Sequence, residues 1–415
     1  MKILQLCHKP SYPPIDGGSI AMNNLTNGLL KNGHSVQVLA INTYKQFCDI
    51  TKVPKDFLSI TNYKLIYVDI KVRALAAFFN LFTAKSYNIF RFDSPLFEKE
   101  LISTLKKSEF DMVILESLYT TPYLDTLKKY HKGPIVLRSH NVEHKIWENL
   151  SHTSTNPFRK WYLKLLAKRL KKYELNIINE VDLIASISTS DSELFKQNGC
   201  STFIEHIPFG INFEEPDFKE YLKLKVKDLI LFHIGSMDWI PHQEAFRWFF
   251  DTVWTEFNLK HPEIELHLAG SKMPDWLIKH KYRNVKVTNG YSDAKEFMKN
   301  KAIMVVPSFS GSGIRIKIAE GMAKGKVILT TTNGAMGIPC TKDYNIFISD
   351  NSQEWISILS TCVTNLEKVQ SISMNARSFS TKEFDFRRAA DKLAKAVESL
   401  NNISHRQNSS KVPYK

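Results

Sequence analysis

Several features that would specify a class of function are missing from this sequence of 415 residues. Its five cysteines are scattered and form no C-x-x-C pair, which argues against a zinc site and a disulfide framework and favours a reducing compartment. No apolar run reaches about 18 residues, and the N-terminus leads directly into a strand, so we expect neither a signal peptide nor a membrane span. The cytoplasm is therefore the expected location.

Acidic residues are also under-represented. Lys and Arg number 56 against 42 Asp and Glu, which gives a formal net charge of +14. This excess indicates an anionic partner, but charge alone leaves open nucleic acid, a membrane surface and a phosphorylated substrate. No Asp-x-Asp pair occurs, so the usual two-carboxylate clamp for a metal-bound nucleoside diphosphate is missing. We therefore expect no metal site.

Predicted strands and helices alternate along both halves of the chain. A strand (Lys2 to Cys7), a loop (Pro10 to Gly18) and a helix (Ser19 to Asn32) open the pattern, which starts again at Leu229 after a charged run. Such alternation predicts an α/β fold of two Rossmann-like, doubly wound domains. Parallel sheets of this kind bind ligands at the carboxyl ends of their strands.

The domain boundaries follow from composition. A hydrophobic content of 43% over this length is enough to form the hydrophobic cores of two domains of ordinary size. We place the boundary ahead of the charged run, so that the domains cover 1–210 and 211–385. Two helices, Ser352 to Glu367 and Phe386 to Leu400, end the fold. Residues 401–415 contain few apolar side chains and are predicted to form a disordered tail.

One stretch of the second half combines the groups that bind a nucleoside diphosphate. A strand, Ala302 to Val306, leads through a Gly/Ser turn into a helix, and amides at a helix start can bind an anion. Spacings of three and four residues place Gly313, Lys317 and Glu320 on one helical face. Phosphate binds N–H donors and cations, and a ribose diol binds a carboxylate. A solvated Lys/Glu pair on an ordinary helix would explain the same spacing.

Glycine and polar residues also follow strands of the first half. Gly17 and Gly18 lie in the first loop, where their amides could approach a phosphate or sugar or could simply form a turn. His140 and Asn141 follow the strand that ends at Arg138, and this histidine is either a substrate contact or an ordinary surface group. The first loop lacks the third glycine of a dinucleotide fingerprint, and the next strand ends without an acid, so no NAD or FAD site is expected.

Two segments of the first half are amphipathic. Residues 72–82 are apolar nearly all round, and Phe158 to Tyr173 combines an aromatic and leucine face with a face of seven basic residues. Such a helix can lie on an anionic membrane. The alternative is a core-facing helix with a solvated basic back.

In order and spacing, the motifs resemble those of the GT-B glycosyltransferases, specifically family 4, over nearly the whole chain. The residues that carry the resemblance are Asp16-Gly17-Gly18, Arg138 to Glu143, Ile207 to Asn212, Gly235 to Trp239, and Gly311 to Gly325 ahead of Gly334 to Gly337. The resemblance implies two domains facing a cleft, with the acceptor on the N-terminal domain and the nucleotide sugar on the C-terminal one. It also implies that the last helix crosses back to the first domain.

Roles for single residues follow from the same resemblance. Glu320 would bind the ribose, His140 the donor sugar, and Gly17, Gly18 and Asn141 would belong to the acceptor or phosphate loop. The remaining donor-site positions would be Gly235, Ser236, Gly270, Tyr291, Ser312 and Gly313. Ser312 stands where the family usually has a first glutamate, so the usual carboxylate contact with the donor sugar is absent and the sugar is left open.

Members of this family retain the anomeric configuration, so the enzyme mainly stabilises charge on the leaving diphosphate. Lys317 would supply that charge in place of a metal, together with Arg315 if the latter lies in the loop before the helix. The expected function is metal-independent transfer from a nucleotide sugar to a polysaccharide or lipid-linked acceptor, with an anionic membrane surface as a further partner. The alternatives are a GT-B sugar-nucleotide epimerase and a non-catalytic binder of membrane or nucleic acid, although no aromatic-interleaved nucleic-acid module is present.

Overall fold

Parallel β-sheets form the centres of two units in the computed structural model of the chain. The structure describes residues 1–71, 80, 83, 86–214, 229–237, 240–290, 294–310 and 313–409. One unit consists of Met1–Ile211 and Phe386–Lys415, and the other of Asn212–Asp385. The chain therefore leaves the first unit after Ile211 and returns to it at Phe386.

The first unit contains a seven-stranded parallel sheet in the order β3-β2-β1-β4-β5-β6-β7. Its strands are β1 Lys2–Cys7, β2 Ser35–Asn42, β3 Lys64–Tyr67, β4 Met112–Glu116, β5 Ile135–Ser139, β6 Leu183–Ser186 and β7 Phe203–His206. Its helices are α1 Gly17–Lys31, α2 Lys55–Thr61, α3 Tyr87–Phe90, α4 Pro95–Lys107, α5 Leu124–Tyr130, α6 Glu143–Thr153, α7 Pro157–Ile177 and α8 Thr189–Gln197. Strand β1 pairs in parallel with both β2 and β4, so the residues after β1 and β4 share one edge of the sheet.

The second unit contains a six-stranded parallel sheet in the order β10-β9-β8-β11-β12-β13. Its strands are β8 Leu231–Ile234, β9 Leu266–Gly270, β10 Val285–Asn289, β11 Ile303–Val306, β12 Val327–Thr330 and β13 Phe347–Ile348. Its helices are α9 Ile240–Phe249, α10 Thr255–Lys260, α11 Asp275–Ile278, α12 Ala294–Met298, α13 Ile316–Ala323, α14 Thr332–Ala335, α15 Ser352–Thr364 and α16 Leu366–Glu383. The strands β8, β11 and β12 are buried along their whole length, as expected for a sheet covered on both faces.

The last helix, α17 (Phe386–Ser409), packs against α1 in the first unit. Gly28 of α1 allows this close approach, because a Cβ atom there would lie 2.3 Å from the carbonyl oxygen of Phe386. The backbone N–H of Phe386 donates to the carbonyl of Ile211 at 3.1 Å. The segment that leaves the first unit is thus hydrogen-bonded to the helix that returns to it.

The C-terminal end differs from the sequence prediction. Helix α16 was missed, and α17 continues to Ser409 where a disordered tail was expected from residue 401. The low apolar content of 401–409 does not stop the helix, because these residues include neither Pro nor Gly. Most of the predicted amphipathic segment 72–82 lies outside the described residues. None of the helices within the described ranges is long and apolar enough to cross a membrane.

Candidate functional site

The two predicted cations lie where the connection from β11 meets α13 in the second unit: Arg315 ends the connecting loop, and Lys317 is in the first turn of the helix. Helix α13 lies close against the sheet because its Ile318 and Met322 side chains are buried. Gly321 leaves the necessary room, since a Cβ atom there would lie 2.9 Å from Cδ1 of Ile328 in β12. This packing fixes the start of α13 at the carboxyl ends of the strands, where a parallel sheet binds its ligands.

Arg315 directly precedes α13, and its side chain forms hydrogen bonds with several residues of the loop. Its guanidinium donates to Oδ1 of Asn333 at 3.0 Å, to Oγ of Ser308 at 3.3 Å and to the carbonyl of Ser310 at 3.2 Å, and it also donates to the carbonyl of Gly313. Burial lowers the pKa of Arg315, but a guanidinium stays charged in proteins. Arg315 thus lies in the loop ahead of the helix, and these contacts shape that loop.

Lys317 lies in the first turn of α13, with its Nζ 3.5 Å from Nε2 of His233. His233 is buried in β8, and its Nδ1 lies 2.8 Å from the carbonyl oxygen of Val305. Because a carbonyl only accepts, Nδ1 carries the proton and the lone pair on Nε2 faces the ammonium. Burial, with the charge of Lys317, lowers the pKa of His233 well below its ordinary value, so the ring is neutral. Sequence analysis missed this histidine, which lies inside an apolar strand.

Two glycines make room for the ammonium group. A Cβ atom at Gly235 would lie 2.5 Å from Nζ of Lys317, and a Cβ atom at Gly270 would lie 1.8 Å from the carbonyl oxygen of Gly235. Gly235 follows β8 and Gly270 ends the neighbouring β9. Ser236 accepts at Oγ a hydrogen bond of 3.2 Å from Ser271. The predicted residues Gly235, Ser236 and Gly270 therefore lie together beside Lys317.

The charges of this cluster are coupled. Burial and the charge of Arg315 lower the pKa of Lys317 to about 8, and the carboxylate of Glu320 partly opposes them. Lys317 is therefore still protonated at neutral pH. Glu320 is half-buried and follows Lys317 by three residues on α13, so it is on the same side of the helix. An ammonium, helix-start amides and a carboxylate one turn further on can bind a diphosphate and an adjoining diol.

Three of the predicted donor positions require a separate account. Gly313 lies in the loop and not on the helical face of Lys317, because α13 begins only at Ile316. Its φ of +80° is a backbone conformation that favours glycine. Ser312 and Tyr291 lie outside the described residues.

Within the described ranges, no group of three or more His, Cys, Asp and Glu side chains is arranged to hold a metal ion.

A second polar cluster lies in the first unit, where β1, β4 and β5 end. Glu116 is buried at the end of β4 and accepts hydrogen bonds from Nε2 of His140 at 2.6 Å and from Nε2 of Gln5 at 2.7 Å. Nε of Arg138 lies 3.6 Å from the same carboxylate. Burial by itself raises the pKa of Glu116, but the His140 hydrogen bond and the Arg138 charge outweigh it, and the pKa is lowered. The ionised carboxylate therefore fixes the ring of His140.

His8 is a further histidine of this cluster that sequence analysis missed. It follows β1, and its Nδ1–H donates to the carbonyl of Glu116 at 2.9 Å. The rings of His8 and His140 meet edge to face with centroids 5.9 Å apart. Burial, and next the charges of Lys9 and His140, lower the pKa of His8 well below its ordinary value. The pairing of Cys7 with Glu116 brings these residues together, and it becomes visible only once the strand order is known.

Gly17 and Gly18 are the first residues of α1 and not the end of the predicted loop. The helix starts early because Asp16 caps it: the N–H of Ser19 donates to Oδ1 of Asp16 at 2.9 Å, and the N–H of Asp16 donates to Oγ of Ser19 at 2.9 Å. Nζ of Lys9 lies 2.6 Å from Oδ1 of Asp16, and a Cβ atom at Gly18 would lie 2.7 Å from that ammonium. Gly18 thus leaves room for Lys9, a cation that sequence analysis did not select.

Asn141 forms the turn between β5 and α6. Its carbonyl accepts a hydrogen bond from Oγ of Ser139 at 2.9 Å, and its side chain bonds to Glu143. Burial and the charge of Glu174 raise the pKa of Glu143 to about 7, and the hydroxyl of Tyr119 donates to its carboxylate at 2.8 Å. Asn141 therefore helps to anchor the chain directly after His140.

Comparisons with known proteins show which family and which folds the chain resembles. Residues 228–365, which include the whole Lys317 cluster, match the family model described as Glycosyl transferases group 1. No curated protein matches the chain.

Similar solved structures cover nearly all of the chain at low identity. Anabaena HepE in complex with UDP-glucose is 16% identical, covers 96% of this chain and 100% of its own, and has a TM-score of 0.61. The sucrose-phosphate synthase of Thermosynechococcus elongatus is 13% identical, with coverage of 97% and 100% and a TM-score of 0.67. A glycosyltransferase from Rickettsia africae is 15% identical, with coverage of 96% and 98% and a TM-score of 0.61. These similarities show that the chain has the GT-B fold, and residues 228–365 match the model of a group 1 glycosyltransferase domain.

Proposed function

We propose that this chain is a retaining glycosyltransferase of family 4 that transfers a sugar from a nucleoside diphosphate sugar to a polysaccharide or lipid-linked acceptor without a divalent metal. The observation that carries the proposal is the placement of Lys317. Its ammonium lies at the start of α13, beside His233 and Gly235 and on the same helical side as Glu320. Such a group is suited to bind a leaving diphosphate.

The proposed chemistry is the stabilisation of charge that develops as the nucleotide departs. Retention by attack from the face that the nucleotide leaves requires no enzyme nucleophile. Lys317 and the amides at the start of α13 neutralise the diphosphate, and a well-placed donor of this kind typically lowers the barrier by about 3–4 kcal/mol. Arg315 adds positive charge and holds the loop through Asn333 and Ser308. Glu320 accepts hydrogen bonds from the ribose diol.

The donor to test first is UDP-glucose. Anabaena HepE, which shares the fold, is described in complex with UDP and with UDP-glucose. Ser312 supplies no carboxylate where the family pattern has one, so the sugar has to be established by experiment.

Acceptor binding is assigned to the first unit. His140, held by Glu116, is the proposed contact to a hydroxyl of the donor sugar, and the neutral His8 is its neighbour. The ammonium of Lys9 and the glycines at the start of α1 offer donors to an anionic or hydroxyl-rich acceptor. These groups lie at the carboxyl ends of their strands, where a doubly wound sheet binds ligands.

The test begins with a thermal-shift screen of nucleotide sugars against the full chain. A ligand at about 100 times its dissociation constant stabilises the fold by roughly 2.7 kcal/mol. Transfer from the selected donor to candidate glycan acceptors is then followed in excess EDTA, and the anomeric configuration of the product is read by NMR. We expect full activity in EDTA and a retained configuration.

Several results would contradict the proposal. Activity that disappears in EDTA and returns with Mg²⁺ or Mn²⁺ would exclude the metal-independent mechanism, and an inverted product would exclude retention. Conversion of the nucleotide sugar without any acceptor would identify an epimerase instead. Lys317→Ala should lower kcat by on the order of 10²–10³, the usual cost of removing one transition-state donor. Lys279→Ala, at an exposed lysine of the same unit, should change nothing.

A further inference from the structure

Helix α7 exposes two large aromatic side chains. Phe158 is 84% exposed and Trp161 is 60% exposed, whereas Leu163, Leu166 and Leu170 of the same helix are buried. The sequence prediction placed Phe158 and Trp161 on one face with leucines such as Leu166, opposite the basic residues, and this is wrong for the two aromatic side chains. The leucines pack on the core, and the two aromatic residues point to the opposite side of α7.

Lysines extend the exposed face along the helix. Lys164, Lys168 and Lys172 are exposed and follow Trp161 at spacings of three and four residues, which places all four on one side. The segment from Pro157 to Lys172 contains seven basic residues and no acidic one. In the part of the chain that the structure describes, none of these three lysines forms an ion pair. Their charge is therefore available to an external partner.

One basic residue of the segment is used inside the unit. Arg169 donates through Nη1 to the carbonyl of Asn80 at 2.7 Å and to its Oδ1 at 3.1 Å. The helix thus uses Arg169 in an inward structural contact, whereas Lys164, Lys168 and Lys172 form an outward row.

We propose that Phe158, Trp161, Lys164, Lys168 and Lys172 form a docking surface for an anionic phospholipid membrane. The two aromatic rings enter the interface between headgroups and acyl chains, and the lysines lay their alkyl stems along it with their ammonium groups at the phosphates. The attraction comes from charge complementarity with the anionic headgroups. None of these residues belongs to the clusters around Lys317 and His140, so the inference does not depend on the proposed function.

The arrangement favours lipid over other anionic partners. A platform for single-stranded nucleic acid interleaves aromatic residues with cations so that successive bases can stack. Here both aromatic residues lie at one end and the lysines continue alone, which suits insertion of one end and electrostatic contact along the rest. A second copy of the chain is a poor partner for the same face, because two rows of lysines would repel each other.

The expected size of the effect follows from the charges. A basic residue near an anionic membrane contributes about 1 kcal/mol, which corresponds to roughly a fivefold change in partitioning. Removing three lysines should therefore weaken binding about 100-fold at low salt, and less at high salt, where the charges are screened. Removing the two aromatic residues should weaken binding at both salt concentrations, since insertion of apolar surface is not screened.

The experiment is co-sedimentation of the full chain with vesicles of phosphatidylcholine alone and of phosphatidylcholine mixed with phosphatidylglycerol. We expect the wild type to sediment only with the anionic vesicles. The Lys164→Ser, Lys168→Ser, Lys172→Ser variant and the Phe158→Ser, Trp161→Ser variant should stay in the supernatant. Circular dichroism and thermal unfolding of both variants should match the wild type, because the changed side chains are exposed.

A matched control removes the same charge elsewhere. Lys52, Lys55 and Lys107 are also exposed in the first unit, and their triple change to serine should leave vesicle binding at the wild-type level. Equal loss in this control would mean that diffuse positive charge, and not the α7 face, binds the vesicles. A wild type that stays in the supernatant with anionic vesicles at low salt would overturn the proposal. So would binding of single-stranded RNA at physiological salt that depends on the α7 lysines, if vesicles are not bound.

Discussion

Nζ of Lys317 lies 3.5 Å from Nε2 of His233, and the opposite ring nitrogen of His233 donates to the carbonyl of Val305. This hydrogen bond to β11 fixes the orientation of the imidazole, and Nε2 faces the ammonium with a lone pair. A side chain of β8 thus contributes to the position of a cation on α13. This links the proposed diphosphate-binding group to the central sheet of the second unit.

The role of His233 as a positioning residue can be tested with two substitutions. His233→Leu removes the acceptor, and we expect about a tenfold rise in the KM for the donor. This corresponds to a free energy near the lower end of the range for a hydrogen bond to a charged group, because the distance between the two nitrogen atoms is long. His233→Gln keeps an acceptor oxygen and should recover part of the affinity. Steady-state kinetics and thermal unfolding of both variants measure the effect. Wild-type KM in the leucine variant would exclude the role.

The pH dependence of donor use should depend on Lys317. Its pKa is lowered from 10.5 to about 8, first by burial and then by Arg315, so kcat/KM should fall as the pH rises above about 8 and the ammonium loses its proton. Lys317→Arg should abolish this fall, and Glu320→Gln should move it to lower pH because the carboxylate raises the pKa of Lys317. A pH profile of Lys317→Arg that is identical to the wild type would show that another group titrates.

Titration of Lys317 does not by itself destabilise the folded chain as the pH rises. The pKa of Lys317 is lower in the folded chain than its ordinary value of 10.5, so the unfolded chain binds more protons between about pH 8 and 10.5. The contribution of Lys317 to stability therefore rises with pH over this window. Thermal unfolding recorded across the same range separates the two effects.

Glu320→Ala should weaken donor binding and leave the fold intact. A carboxylate that accepts hydrogen bonds from a ribose diol contributes about 1.5–3 kcal/mol. Calorimetric titration with the donor selected by the thermal-shift screen measures the loss. Glu367→Ala, at an exposed glutamate of the same unit, is the matched control and should bind as the wild type does. If Glu320→Ala binds the donor with unchanged affinity, Glu320 does not belong to the site.

Gly235→Ala should mainly weaken donor binding, whereas Gly270→Ala should mainly destabilise the fold. A Cβ atom at Gly235 would lie 2.5 Å from the movable Nζ of Lys317, so we expect displacement of the ammonium and loss of donor affinity. The φ of +155° at Gly235 adds some backbone strain, but the loss of stability should be smaller than at Gly270. A Cβ atom at Gly270 would lie 1.8 Å from the backbone oxygen of Gly235, which cannot move as easily, so overpacking should destabilise the fold by about 1–3 kcal/mol or more. Equal loss of stability in both variants, measured by denaturant unfolding, would contradict this distinction.

The positions of the strands along the chain, and their alternation with helices, were predictable from the local sequence pattern. Buried parallel strands are short apolar runs bounded by polar or glycine residues, and β1, β4 and β11 show this directly in the sequence. The prediction of an α/β fold with two doubly wound sheets is therefore confirmed. Helix starts were less predictable, because the first residue depends on which side chain caps the backbone. Asp16 and Ser19 move the start of α1 to Gly17, whereas α13 begins only after Arg315.

The sequence by itself determined which chemical groups are available: a cation and a carboxylate three residues apart on one helix, glycines after strands, and a helix that contains both lysines and large aromatic residues. The tertiary structure decided which of them meet. His233 reaches Lys317 and His8 reaches His140 because parallel pairing aligns the carboxyl ends of strands that are far apart in the chain. Helical periodicity defines the faces of α7, but only packing decides which face is buried, and it left Phe158 and Trp161 exposed.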